Sequence, residues 1–360
     1  MNFTLHLTAD CNFACRYCYE KHSPARMDER TARAACELLY SYGHSKNGFS
    51  FYGGEPLLCK DTIGLVTDIC KDKAEKSGGT VSYKLTTNGS LLNEAFLELA
   101  GRRGIEIALS HDGILQDEQR LTKGGGATAM LLEPRIDMLL RYQPRAVAML
   151  TLARSSAGKL FEAVKWLYER GFSRVNAAID MRPSVEWNDG DMAALEEQFG
   201  LLADYCAEHF DDERPLHFLN FEAKISAYMN GRRCMECELG RKQPSIDTDG
   251  TIYPCNQFVG LPEYAMGNVF DGIDKAAQSR TYAAYTAIEP TCEGCALEAR
   301  CRHHCACLNF SMTGDMHKVP PVQCAHERAL IKNADRMAEL LYERKSPRFM
   351  RAYADKEGSK

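Results

Sequence analysis

The sequence predicts an α/β fold with a cysteine-rich appendage, and three observations carry that reading. Short apolar strand patterns alternate with longer amphipathic helical patterns through the first 180 residues. Strands separated by helices imply right-handed crossovers and a parallel sheet. Beyond them, nine of the sixteen cysteines lie between Cys234 and Cys324 in a stretch rich in Gly and Pro. Three more, Cys11, Cys15 and Cys18, directly follow the first strand pattern.

The strands are expected at Phe3–Leu7, Gly48–Tyr52, Val81–Thr86, Ile105–Ser110, Arg145–Leu152 and Arg174–Ile179. Helical periodicity falls between them, near Glu29–Tyr42, Asp61–Lys76, Asn93–Arg102, Glu133–Tyr142 and Gly158–Arg170. Six such units build either a doubly wound sheet or a barrel that does not fully close, and both place functional loops at the carboxyl ends of the strands. A helix-rich bridge follows over 189–230, then the cysteine-rich region 231–325 with little helical periodicity. Residues 326–360 read as a charged amphipathic helix, over His326–Arg344, and a polar tail.

Composition excludes several classes of protein. With 45% hydrophobic and 26% charged residues the chain buries a sizeable core, and its 44 basic and 49 acidic residues leave a net charge of -5. Such a balance offers no broad positive field for a phosphate backbone, so nucleic acid is not an expected partner. The sequence has no apolar run of about 18 residues, and its start lacks the basic and apolar regions of a signal peptide. A cytoplasmic protein that does not engage membranes is expected.

In a reducing compartment sixteen cysteines point to metal or redox chemistry rather than disulfides. Cys36, Cys59, Cys70 and Cys206 are scattered and are read as small buried hydrophobes. In Cys11-Asn-Phe-Ala-Cys15-Arg-Tyr-Cys18 three thiolates converge from one short loop. Three ligands leave one iron of an iron-sulfur cube free, whereas a zinc knuckle takes a fourth ligand such as His6 or His22.

The Cys-x3-Cys-x2-Cys triplet with Tyr17 before its last cysteine resembles the signature of radical S-adenosylmethionine (SAM) enzymes. Phe51-Tyr52-Gly53-Gly54-Glu55-Pro56 is similar to their Gly-Gly-Glu-Pro segment, Thr86-Thr87-Asn88-Gly89 to their Thr-Asn-Gly, and Ser110-His111-Asp112-Gly113 to their Ser-x-Asp-Gly. The resemblance implies a partial (β/α)6 TIM-like barrel over 1–188. It implies that Gly53, Gly54, Glu55 and Pro56 receive the SAM amino group, through backbone carbonyls and the carboxylate. Asn88, Ser110 and Arg120 then line its ribose and carboxylate. The chemistry implied is reductive cleavage of SAM to a 5'-deoxyadenosyl radical that takes hydrogen from an unactivated carbon.

Cys237 followed by Gly250-Thr-Ile-Tyr-Pro-Cys255, and then Cys292-x2-Cys295-x5-Cys301-x3-Cys305 with Cys324 beyond, resembles the SPASM extension of radical SAM enzymes that modify peptides. By that resemblance Cys234, Cys237, Cys255 and Cys305 hold one auxiliary cluster and Cys292, Cys295, Cys301 and Cys324 a second, giving three 4Fe–4S clusters with the first triplet. Cys307 is an alternative to Cys305, and paired zinc ribbons are the alternative to clusters. His303 and His304 are read as spacers or second-shell donors.

Sulfatase-maturing members of this group carry an aspartate base directly after the cysteine matched by Cys255, where this chain has Asn256. An amide cannot take up a proton near neutral pH. The expected activity is therefore that of a ribosomal-peptide maturase closing a thioether in a cysteine-containing precursor peptide. Epimerisation, carbon–carbon cross-linking, formylglycine formation and a non-catalytic cluster scaffold are the alternatives. Asp180 and Glu222 are the candidate bases. A flavodoxin or ferredoxin-type donor is the expected electron source. Since the chain begins two residues before its first strand, leader recognition is expected from a separate protein or another surface.

Overall fold

The computed structural model describes residues 1–231, 233, 237–286, 289–303 and 305–354, and Cys234 and His304 fall outside the described residues. The architecture is α/β with a mostly parallel sheet, as a partial TIM-like barrel requires. The chain divides into two compact units. One comprises 1–110, 116–146 and 237–287, and the other 111–115, 147–236 and 288–360.

In the first unit the parallel strands run in the order Ser245–Ile246, Asn2–His6, Lys46–Tyr52, Thr80–Thr87 and Ile105–Ser110. Alternate residues of these strands are apolar and sealed. Phe3, Leu5, Phe49, Phe51 and Leu85 are at most 1% exposed, which is why a parallel sheet forms here. Helices Glu29–Ser41, Lys60–Ser77 and Glu94–Arg103 supply the crossovers. Asp28 and Asn93 cap the first and third of these by accepting from Thr31 N and Phe96 N. Cys36, Cys70 and Cys59 are buried in this unit, so their role is packing.

The second unit holds the parallel strands Val147–Leu152, Arg174–Ile179 and His217–Phe218 with helices Leu160–Glu169, Asp189–Glu208, Leu219–Met229 and Pro321–Glu343. Cys206 is fully buried there. Among the described residues no helix is long and apolar enough to cross a membrane.

Three features depart from the sequence expectations. The helix expected from Glu133 begins at Ala129 and carries Pro134 inside it, so a residue that ordinarily ends helices is accommodated in this one. The last long helix begins at Pro321, not His326, because proline at the first helical position forgoes only an amide that would be unpaired anyway. That shift places Cys324 on its first turn. The cysteine-rich stretch is also not one separate body: 237–287 belongs to the first unit, where Thr4 pairs with Ser245 and Leu5 with Ile246. The same stretch, read as having little helical periodicity, also contains helices Lys275–Thr286 and Ala306–Thr313.

Two substitutions separate core from cap energetics. Phe51→Ala, which empties a fully sealed site, should cost about 3–5 kcal/mol. Asn93→Ala, which removes one capping acceptor, should cost about 1 kcal/mol. Urea denaturation followed by circular dichroism reads both.

Candidate active site

The triplet loop leaves the first strand and is fixed before its first cysteine. Thr8 Oγ1 donates to Ala25 O at 2.9 Å and accepts from Asp10 N at 3.0 Å. Gly54 N and Glu55 N donate to Thr8 O and Asp10 O, both at 2.8 Å. Phe13–Cys15 then forms a short antiparallel ladder with Arg120–Thr122 that sets Cys15 opposite Arg120. The Arg120 guanidinium lies over the Tyr17 ring, 5.2 Å from its centroid. Arg120 therefore reaches the triplet loop.

Cys11 is 7% exposed, and its sulfur accepts from Phe13 N at 3.4 Å. Burial foremost, with the charges of Glu55, Cys15 and Cys18 acting in the same direction, pushes its thiol up to about 12. A metal bound there must displace a proton that the apo pocket holds tightly. Cys18 Sγ lies 3.6 Å from His22 Nε2. Among the described residues no three His, Cys, Asp or Glu side chains close on one point as around a single metal ion. In a cubane cluster each thiolate binds a different iron, so a cluster needs no such single focus. Three soft donors on one loop, within electrostatic reach of each other, fit that group.

The loop after Lys46–Tyr52 is built on close backbone contacts. A Cβ on Gly53, whose φ is +126°, would lie 2.3 Å from Thr8 O, and one on Gly54 would lie 2.1 Å from Asp10 O. These glycines therefore let two backbone segments touch. Glu55 is 0% exposed. Its carboxylate accepts from Leu57 N at 2.9 Å, Thr87 Oγ1 at 2.7 Å and Asn88 N at 2.8 Å. It caps the short turn Pro56–Cys59, with Pro56 in the first position. Burial raises its pKa, and the three donors oppose that shift. The Glu55 carboxylate thus forms a buried clamp between two strand-end loops.

Asn88 lies beside the triplet loop. Its amide nitrogen donates to Asn12 Oδ1 at 2.9 Å and lies 3.8 Å from Cys11 Sγ, while its oxygen accepts from Ser90. Ser110 ends its strand. In the second unit Asp112 is sealed and accepts from Thr151 N, and a Cβ on Gly113 would lie 2.4 Å from Ala163 O. The last two residues of that motif thus anchor the loop locally.

Cys255 and Asn256 fall in the first unit, and Asn256 Nδ2 donates to the Tyr19 hydroxyl at 3.0 Å. The Tyr19 and Tyr52 hydroxyls are 2.9 Å apart, and Cys255 Sγ donates to Asn256 Oδ1 at 3.0 Å. Sequence reasoning missed both tyrosines. The only signal was position, one directly after Cys18 and the other directly before Gly53. Cys237 is exposed, and the Cys305 and Cys307 sulfurs are 3.4 Å apart.

The second unit carries Cys292, Cys295, Cys301 and Cys324. Cys292 senses Cys324 and Cys295, and Cys301 senses Cys292. Arg328 donates to Cys324 and also senses Cys295 and Cys301. Burial pushes the Cys301 thiol up to about 12. This four-thiol set suits a cluster ligand shell.

The two candidate bases are otherwise engaged. Asp180 is 6% exposed and grips Arg182 through both oxygens, at 2.9 and 2.7 Å. Glu222 meets His217 Nδ1 at 2.5 Å.

Residues 5–195 match the radical SAM superfamily, and residues 237–306 match an iron-sulfur cluster-binding domain, SPASM. A serine-type anaerobic sulfatase-maturating enzyme from Klebsiella aerogenes is 23% identical over 319 residues, covering 82% of this chain and 76% of that protein. Among solved structures, native anSMEcpe with bound AdoMet and Cp18Cys peptide superposes with a TM-score of 0.78 at 17% identity, covering 97% of this chain and 98% of that one. Streptococcus suis SuiB bound to precursor peptide SuiA gives 0.61 at 15% identity, covering 89% and 75%.

Replacement of the clamp should be felt as stability. Glu55→Ala strands three buried donors and should cost on the order of 3 kcal/mol or more, while Glu55→Gln, which retains one acceptor oxygen, should cost about 1–2 kcal/mol. Urea unfolding of the apo protein separates this loss from any effect on SAM.

Proposed function

The chain belongs to the radical SAM superfamily and carries an iron-sulfur SPASM domain, and on that premise we propose that it closes a thioether in a cysteine-containing precursor peptide. The observation that carries this reading is the amide at position 256, which donates to Tyr19 where sulfatase-maturing enzymes hold a carboxylate. Thioether closure removes one hydrogen from sulfur and one from carbon, and it incorporates no water-derived oxygen. Peptide substrates are supported by the Cp18Cys and SuiA peptides named with the solved structures.

Cys11, Cys15 and Cys18 would hold the first cluster and leave one iron for SAM. When bound, cluster and SAM together supply a carbon-centred radical able to take hydrogen from an unactivated carbon. The chain's own work is to fix that loop through Thr8, Gly54 and Glu55, and to present Asn88, Ser110 and Arg120 to the bound ligand. Cys292, Cys295, Cys301 and Cys324 would hold one auxiliary cluster. Cys234, Cys237 and Cys255, with Cys305 or Cys307, would hold the other. Such clusters are the electron sink that a net two-hydrogen loss requires. A flavodoxin or ferredoxin-type donor and a separate leader-binding protein complete the proposed partners.

A second reading, formylglycine formation on a sulfatase, draws on the sulfatase-maturating relatives. It requires a base that Asn256 does not provide.

Anaerobically reconstituted protein should carry three clusters, about twelve irons per chain, and alanine at Cys11, Cys15 and Cys18 should remove about four of them together with all SAM cleavage. Native zinc in place of iron would refute the assignment. On a cysteine-containing precursor peptide, mass spectrometry should find the loss of two hydrogens per cross-link and a cysteine that resists alkylation. Conversion of a Cys-x-Pro-x-Arg peptide to formylglycine would establish the second reading, and an unchanged mass in ordinary water with uptake of solvent deuterium in heavy water would indicate epimerisation.

A further inference from the structure

Lys224 and Glu327 are buried charges of the second unit, 1% and 2% exposed. The Lys224 ammonium meets Glu327 Oε2 at 2.6 Å and donates to the carbonyl of Arg300 at 2.8 Å. The same Glu327 oxygen accepts from the backbone amide of Arg302, also at 2.8 Å. Arg300 and Arg302 flank Cys301. One ion pair therefore holds the chain on both sides of that cysteine, the cation taking the carbonyl before it and the anion the amide after it.

The bracket is reinforced. The Arg300 guanidinium donates to Lys224 O at 3.3 Å, pairs with Asp335 and stacks over Tyr228 at 5.0 Å. Asp335 lies eight residues beyond Glu327 on Pro321–Glu343, about two turns along the same helix face. That helix also carries Cys324 on its first turn. The segment bearing Cys301 is thus stapled at two levels to the helix bearing Cys324.

We propose that the Lys224–Glu327 pair is the positioning element for Cys301, setting its thiol against Cys324 for an auxiliary cluster. This rests on the reading that Cys292, Cys295, Cys301 and Cys324 hold such a cluster. Stability alone does not account for the pair, since two buried charges pay a desolvation cost that an apolar pair of similar volume avoids. An apolar pair cannot, however, bond a carbonyl and an amide on opposite sides of one residue.

The test compares two double variants in the full-length protein, reconstituted anaerobically. Lys224→Met with Glu327→Leu removes both charges and both backbone bonds. Lys224→Gln with Glu327→Gln removes the charges but keeps a donor for Arg300 O and an acceptor for Arg302 N. Iron analysis and the electron paramagnetic resonance of the reduced protein are the readouts, with circular dichroism melting as the check on folding. The apolar pair should lose about four irons per chain and one cluster signal, and the amide pair should retain both. Full iron in a folded apolar pair would overturn the proposal. Should that pair not fold, the amide pair decides: retained iron supports the bracket, and lost iron with an unchanged melt overturns it. Cys324→Ala distinguishes failure of the underlying reading, because unchanged iron in that variant would mean that the four thiols hold no cluster.

Discussion

The carboxylate of Glu55 is the constraint on which the amino-terminal site depends. It is sealed from solvent, yet it joins the turn at Leu57 to the next strand end at Thr87 and Asn88. Its own amide reaches back to Asp10, one residue before Cys11. Three strand-end loops therefore share one residue. A buried carboxylate is costly to desolvate, and three well-placed donors offset that cost only in one geometry. Glu55 therefore acts in the fold as a joint.

Around that joint the loops are packed backbone to backbone. Gly53 and Gly54 lie so close to Thr8 and Asp10 that a methyl group has no room at either. Asn88, held by its amide to Glu55, turns its side chain to Asn12 and toward Cys11. The position of the first cysteine is thus an output of hydrogen bonds made one and two strands away, which is how a flexible thiol loop is pre-organised for a metal group.

The second unit solves a similar problem with charge. Cys301 is flanked by an ammonium bond on one side and a carboxylate bond on the other, and the helix that supplies the carboxylate also supplies Cys324. Both devices are buried, polar and specific in direction. Apolar packing, being non-directional, would hold these segments together without fixing where a sulfur points.

Much of this was legible in the sequence. The six strands of the barrel follow from runs of Val, Ile, Leu, Phe and Tyr bounded by turn residues, and Ile105–Ser110 and Arg174–Ile179 have the expected bounds. The triplet, the Gly-Gly-Glu-Pro turn and the auxiliary cysteines are local patterns, visible because each is written in consecutive or closely spaced residues. Tertiary structure alone decided what is not local. Two-residue strands such as Ser245–Ile246 carry too few residues to show a period, so their union with Asn2–His6 could not be read. Tyr19 meets Asn256 across 237 positions, and Lys224 meets Glu327 across 103. That Glu55 bonds Thr87 and that Asp180 pairs with Arg182 depends on which donors the fold brings within about 3 Å. A sequence specifies residue types and spacings, whereas hydrogen-bond partners distant along the chain are chosen only when packing brings them together.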